Sequence, residues 1–162
     1  MREMLTRALG SSGLYAGVRW LLALLFLYAG ATKLADPDGF GRIIADFGLL
    51  PDSLIAPTAV ILPAVEVAAA LGLLLDLRGA LGLVVALLLL FIAVLAYGIR
   101  LGLDVDCGCF GPEDPEAQAY GNLSGALARD FFMVLGGAYL YWWRTTQLSR
   151  QCRQGLFIRK FL

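Results

Sequence analysis

Two of the three cysteines in this 162-residue chain, Cys107 and Cys109, are separated by a single glycine, Gly108. Two residues of extended chain span about 7 Å, whereas a disulfide prefers Cα atoms roughly 5.5 to 6 Å apart, so bridging the pair requires a bend. Gly108 permits that bend. A ring this small closes almost no chain entropy, which makes it a poor staple and a better reversible bond. The chemistry such a pair suits is thiol–disulfide exchange, in which one sulfur attacks, or is attacked by, a partner and the second cysteine resolves the mixed disulfide. The same residues also fit a constrained turn that only holds a loop in shape, or a two-thiolate site for a soft metal such as Cu(I). Nearby acids (Asp104, Asp106, Glu113, Asp114, Glu116) disfavour a thiolate, while Arg100 and the start of the next helix favour it. Cys152, in a basic carboxy-terminal stretch, reads as incidental.

A second group of chemically able residues lies inside apolar stretches: Arg19, Glu66, Arg129 and Asp130. An ionised side chain at the bilayer centre costs at least about 2.5 to 3.5 kcal/mol unless paired or hydrated, so these four are expected to face a protein interior. Counting helix rise, Glu66 lies about 18 Å and Arg129 about 9 Å below the outer ends of their segments, so Arg129 or Arg19 can pair with Glu66. Such a pair either fixes helix register or lines a polar cavity or proton path below the cysteines. The chain has no histidine, which argues against histidine-based triads and His-ligated zinc or haem, and no metal site is assigned. Its net charge of zero argues against nucleic acid as a partner.

The elements that must position these residues are membrane helices. Hydrophobic residues make up 59% of the chain and charged ones 16%, too few charges to cover a soluble domain. Four stretches, about 14–34, 54–75, 79–99 and 123–143, have the roughly twenty residues that cross a hydrocarbon core of about 30 Å. The first continues through Tyr28-Ala29-Gly30 to Lys33 and reads as a retained helix, not a cleaved signal. After it, Asp36-Pro37 begins a short helix with Phe40, Ile43, Ile44 and Phe47 at helical spacing, expected to lie in the interface. Pro57 and Pro63 in the second span are tolerable where neighbouring groups satisfy the freed carbonyls. The fold expected is therefore an all-α membrane protein: a four-transmembrane-helix antiparallel bundle over residues 14–144, flanked by a 1–13 tail and a basic 145–162 tail.

Lys and Arg concentrate in the two tails and the second connection (Arg2, Arg7, Arg78, Arg144, Arg150, Arg153, Arg159, Lys160). The other two connections hold mainly Arg42 and Arg100, with Lys33 at their edge. Positive-inside bias then puts both termini in the cytoplasm and the Cys107–Cys109 loop outside. Tyr15, Trp20, Tyr141, Trp142 and Trp143 fall at the inner interface. Small-residue pairs Gly13/Gly17, Ala68/Gly72 and Gly98/Gly102 are candidates for close helix approach.

Taken in order, Arg19, Ala29-Gly30, Lys33-Leu34, Asp36-Pro37, Leu50-Pro51, Pro63 with Glu66, Cys107-Gly108-Cys109-Phe110-Gly111, and Ser124 with Arg129-Asp130 resemble the MauE branch of the DoxX-like membrane proteins. The resemblance covers about Leu14 to Trp143, and the Cys-Gly-Cys-Phe-Gly string is its most specific part. It implies a four-helix bundle of the bacterial cytoplasmic membrane, associated with redox maturation of exported proteins such as the disulfide-rich small subunit of methylamine dehydrogenase. An exported thioredoxin-like or cysteine-rich partner is implied with it, and Cys107 and Cys109 become the redox pair. The layout is also similar to vitamin K epoxide reductases, but this chain has no second outer cysteine pair, so a quinone cofactor is implied by analogy of layout only. The alternatives are a non-enzymatic assembly scaffold and a carrier of a soft metal or small molecule.

Overall fold

The computed structural model describes residues 11–77, 79–102 and 123–158, with Ser124 and residues 147–158 given by their backbone alone. The described residues form five helices and no strand: α1 (Ser12–Ala35), α2 (Pro37–Asp46), α3 (Asp52–Leu74), α4 (Ala80–Leu101) and α5 (Leu123–Ile158). Cys107, Gly108, Cys109, Phe110 and Gly111 lie outside the described residues.

Local chemistry sets the helix ends. Ser11 caps α1 by accepting a hydrogen bond from the Leu14 amide at 3.2 Å. The helix stops at Asp36, because the residue before a proline is driven out of the helical region, and Asp36 sits at φ −135°. The same Asp36 then caps α2, its Oδ1 accepting from the Gly39 amide at 2.9 Å, with Pro37 in the first turn. This is the short helix its sequence announces. Between α3 and α4 the chain reverses within Leu75 to Gly79, and both Asp76 (φ 55°) and Gly79 (φ 95°) take the left-handed conformation. Aspartate tolerates that region better than most side chains. The boundaries of α1, α3 and α4 agree with the expected spans to within two residues. The last helix does not stop near Trp143, and its backbone continues through the expected basic tail to Ile158.

Helices α1, α3 and α4 are each long and apolar enough to cross a membrane. The fourth long helix, α5, is not among them, since Arg129-Asp130 and its polar second half dilute its hydropathy. Three such helices make this a multi-pass membrane protein. Helix α1 lies along α3, α4 lies along α5, α2 rests on α3, and α5 also touches α1. A continuous core runs between them through Leu22, Ala23, Phe26, Ala70, Leu73, Val84, Leu88 and Leu140. Large apolar side chains such as Leu21, Leu89 and Phe132 point outward, as a lipid-facing surface requires.

A close approach of two helix backbones falls at Gly30, where an added Cβ would stand 2.8 Å from Val67 Cγ2 and 3.0 Å from the Pro63 carbonyl oxygen. Of the proposed small-residue pairs, Gly72 and Gly98 sit against neighbours, the latter against Phe47 and Leu123. Among the described residues, Gly13, Gly17 and Gly102 meet nothing within 4 Å, and Ala68 is exposed. Spacing alone does not make a packing face; a partner must stand opposite.

One polar cluster ties the end of the bundle that carries the α3–α4 turn. Asp76 accepts from the Tyr15 hydroxyl at 2.9 Å, pairs with Arg19 at 3.1 Å and is bound by Arg144, which also donates to Tyr15 at 2.9 Å. Trp143 stacks on Tyr15 with ring centroids 4.1 Å apart. Arg19 thus belongs to the bundle end, not to Glu66. Burial works against ionisation of Asp76, but the Tyr15 hydroxyl and then Arg144 and Arg19 outweigh it and hold its carboxyl below the ordinary 3.8. A group whose pKa is lowered by folding stabilises the protein above its unfolded pKa and loses that effect as pH falls through the folded value.

Two outcomes follow. Gly30→Ala is expected to destabilise by about 1 to 3 kcal/mol through overpacking, while Gly17→Ala is neutral or slightly stabilising; detergent-solubilised thermal melts of both variants check this. Asp76→Asn, which keeps the left-handed turn accessible, should melt below wild type at neutral pH, and the gap should narrow as pH falls below 3.8 and close once it has passed the lowered folded-state value.

Candidate functional site: a buried ion pair between two cavities

With no side chain at Gly30, α1 and α3 come close enough for Lys33, one turn further on, to reach Glu66. The Lys33 Nζ donates to Glu66 Oε1 at 2.8 Å and to Oε2 at 3.0 Å. Both residues are buried, at 3% and 1% exposure, so this is an ion pair in a low-dielectric interior. The Lys33 ammonium also stands 5.2 Å from the Phe40 ring centroid and 4.8 Å from that of Phe91, where the negative ring faces favour a cation.

Beside the pair, Arg129 Nε and Nη2 both donate to Asp130 Oδ1 at 3.3 Å. Lys33, Glu66, Arg129 and Asp130 line one cavity of about 30 Å³, together with apolar neighbours including Phe26 and Met133. That is room for about one water. Asp130 Oδ2 is buried and has no hydrogen-bond partner among the described residues, so a water there would satisfy it. Two cations and two anions cancel, which is how four charges coexist at this depth.

The structure brings Glu66, Arg129 and Asp130 to one cavity, and neither of the two pairings expected for Glu66, with Arg129 or with Arg19, forms. Glu66 bonds Lys33, Arg129 bonds Asp130, and Arg19 reaches Asp76. The cause is the close approach at Gly30, which draws Lys33 inward from what reads as a loop edge. A usable signal was present: Gly30 and Lys33, like Pro63 and Glu66, are one helical turn apart, placing the tight contact and the charge on the same faces. Arg100 is exposed in the last turn of α4, at the end that leads toward residues 103–122.

On the other side of Lys33 lies a larger cavity of about 400 Å³ between α2, α3 and α4. Among the described residues it is lined by apolar side chains with two polar exceptions, Lys33 and Thr58.

Residues 11–143 match the family described as methylamine utilisation protein MauE. The chain belongs to the MauE family. It is 40% identical over 96 residues to the methylamine utilization protein MauE of Paracoccus denitrificans, covering 57% of this chain and 52% of that one. It is 34% identical over 91 residues to the MauE of Methylophilus methylotrophus, covering 54% and 48%, and 36% identical over 96 residues to that of Methylorubrum extorquens, covering 57% and 52%. The chain spans about half the length of these MauE relatives. No solved structure matches it.

In this MauE-family chain Lys33→Met leaves Glu66 as an uncompensated buried charge and is expected to cost about 3 to 5 kcal/mol. Lys33→Met combined with Glu66→Leu should recover most of that loss, measured by denaturant titration of the purified protein; two losses that simply add would contradict the pairing.

Proposed function

We propose that this MauE-family protein is a thiol–disulfide exchange protein of the bacterial cytoplasmic membrane, acting in redox maturation of exported proteins, within the methylamine utilisation that names its relatives. In this reading α5 is the fourth span, α2 lies in the outer interface and both termini are cytoplasmic. Cys107 and Cys109 face an exported thioredoxin-like or cysteine-rich partner.

The observation that carries the reading is the polarity of the bundle. Leu123, which opens α5, packs against Gly98 in the last turns of α4. The described helix ends that flank residues 103–122 thus meet at the end of the bundle opposite the Asp76 cluster, which supports the reading. The Asp76 end is the one flanked by most of the chain's Arg residues, so the positive-inside bias and the helix packing agree.

The exchange itself needs no group beyond the two proteins. A partner thiolate attacks one sulfur of the Cys107–Cys109 disulfide and expels the other as a thiolate. A second partner thiol, deprotonated, then attacks the partner's sulfur in the mixed disulfide. That releases the chain's pair as two thiols and leaves the partner oxidised. Run backwards, the same steps reduce the partner. The bundle's contribution is to hold α4 and α5 together at the loop's base.

Membrane-impermeant maleimide applied to intact spheroplasts is expected to label Cys107 and Cys109 only after reduction. Cys109→Ser or Cys107→Ser should accumulate or abolish a mixed disulfide with the partner. Labelling indifferent to reductant, or full activity in the double serine variant, would favour an assembly scaffold whose loop bond only holds shape.

A further inference from the structure

We propose that the cavity of about 400 Å³ binds an uncharged, carbonyl-bearing apolar molecule taken from the bilayer, with its carbonyl oxygen accepting a hydrogen bond from Lys33. The volume falls within the roughly 300 to 1,000 Å³ of small-molecule sites, which are mostly apolar with a few placed polar groups. Here Lys33 and Thr58 are those groups.

A lysine ammonium has three N–H donors, and Glu66 takes two of them, at 2.8 and 3.0 Å. On its other flank Lys33 stands over Phe40 and Phe91, and both rings line the cavity. A single acceptor arriving there completes the donor set. Charge selects the kind of acceptor. Lys33 is already neutralised by Glu66, so a carboxylate or phosphate head would bring an unpaired charge into an apolar wall, whereas a carbonyl brings none. The route in is also apolar, because the lining residues Leu49 and Leu90 are 44% and 48% exposed on the bundle's surface. A molecule dissolved in lipid reaches the cavity without crossing water. Two bilayer components share this chemistry, a quinone ring and the ester carbonyl of a neutral glyceride. None of the described lining residues lies in the cysteine-bearing segment, and binding is read without the cysteines, so failure of this site and failure of the exchange reaction are told apart.

The test is native mass spectrometry of the full chain in a carbonyl-free alkyl maltoside detergent, titrated with decylubiquinone, dioctanoylglycerol and decanoate. One equivalent of decylubiquinone or dioctanoylglycerol is expected to bind, the tighter one identifying the source, with decanoate weaker than either. Val94→Trp and Ile44→Trp, filling the cavity from two different helices, should each abolish binding while melting as wild type does. The Lys33→Met, Glu66→Leu double variant keeps the charge balance and should bind about tenfold more weakly, the effect of one lost hydrogen bond. Failure of both neutral probes, equal binding of decanoate, or unchanged binding in the two tryptophan variants and the double variant would overturn the assignment.

Discussion

The Lys33–Glu66 pair is the constraint around which the rest of the bundle is arranged. Two opposite charges in a medium of low dielectric attract strongly but forfeit hydration, and they hold together only when geometry is good and the neighbours add further stabilisation. Both conditions are met by ordinary means. A glycine on α1 removes the atoms that would hold the helices apart, both carboxylate oxygens receive the same ammonium, and two aromatic faces flank the cation. Helices in lipid gain little from hydrophobic association with each other, so a pair of this kind does for α1 and α3 what a packed core does in water.

Polar groups are accordingly sorted into two places along the bundle. At one end, Tyr15, Arg19, Asp76 and Arg144 tie the first helix, the α3–α4 turn and the last helix together. Midway, four compensating charges share a cavity of one-water size. The stretch between them is filled by small and branched side chains, among them Ala23, Ala70 and Val84, each essentially without exposure. The larger cavity lies between α2, which packs on α3, and α4, with Phe40, Ile43 and Ile44 in its wall.

Much of this was legible in the sequence, and the reason is that its signals were local. Asp36-Pro37 had to end one helix and begin another, and the chain between Asp76 and Gly79 was too short for anything but a reversal. Apolar run lengths gave the limits of α1, α3 and α4. What sequence could not supply was which charge meets which. Lys33 stands three residues before a helix stop and reads as a charge at the edge of a connection, and only the unforeseen approach at Gly30 turns it inward. Gly13 and Gly17 illustrate the reverse error: a small-residue spacing suggests a neighbour, yet none of the described residues stands opposite them. The end of α5 was missed for a related reason, since polarity after Trp143 marks where lipid could end, and a helix need not end there.

Asp36 serves as the C-terminal cap of one helix and the N-terminal cap of the next, so it alone separates α1 from α2. Each residue of helix turns the chain by about 100°, so a joint without slack transmits the rotational phase of α1 directly to the short helix. Lengthening the joint by one amino acid would let Phe40 rotate away from Lys33 and Ile43 from its cluster with Leu95, Leu123 and Ala126. Among related chains, length variation should therefore be sparse between Ala35 and Gly39 and more freely accommodated after Asp46, where Gly48 (φ 62°) begins an irregular connection.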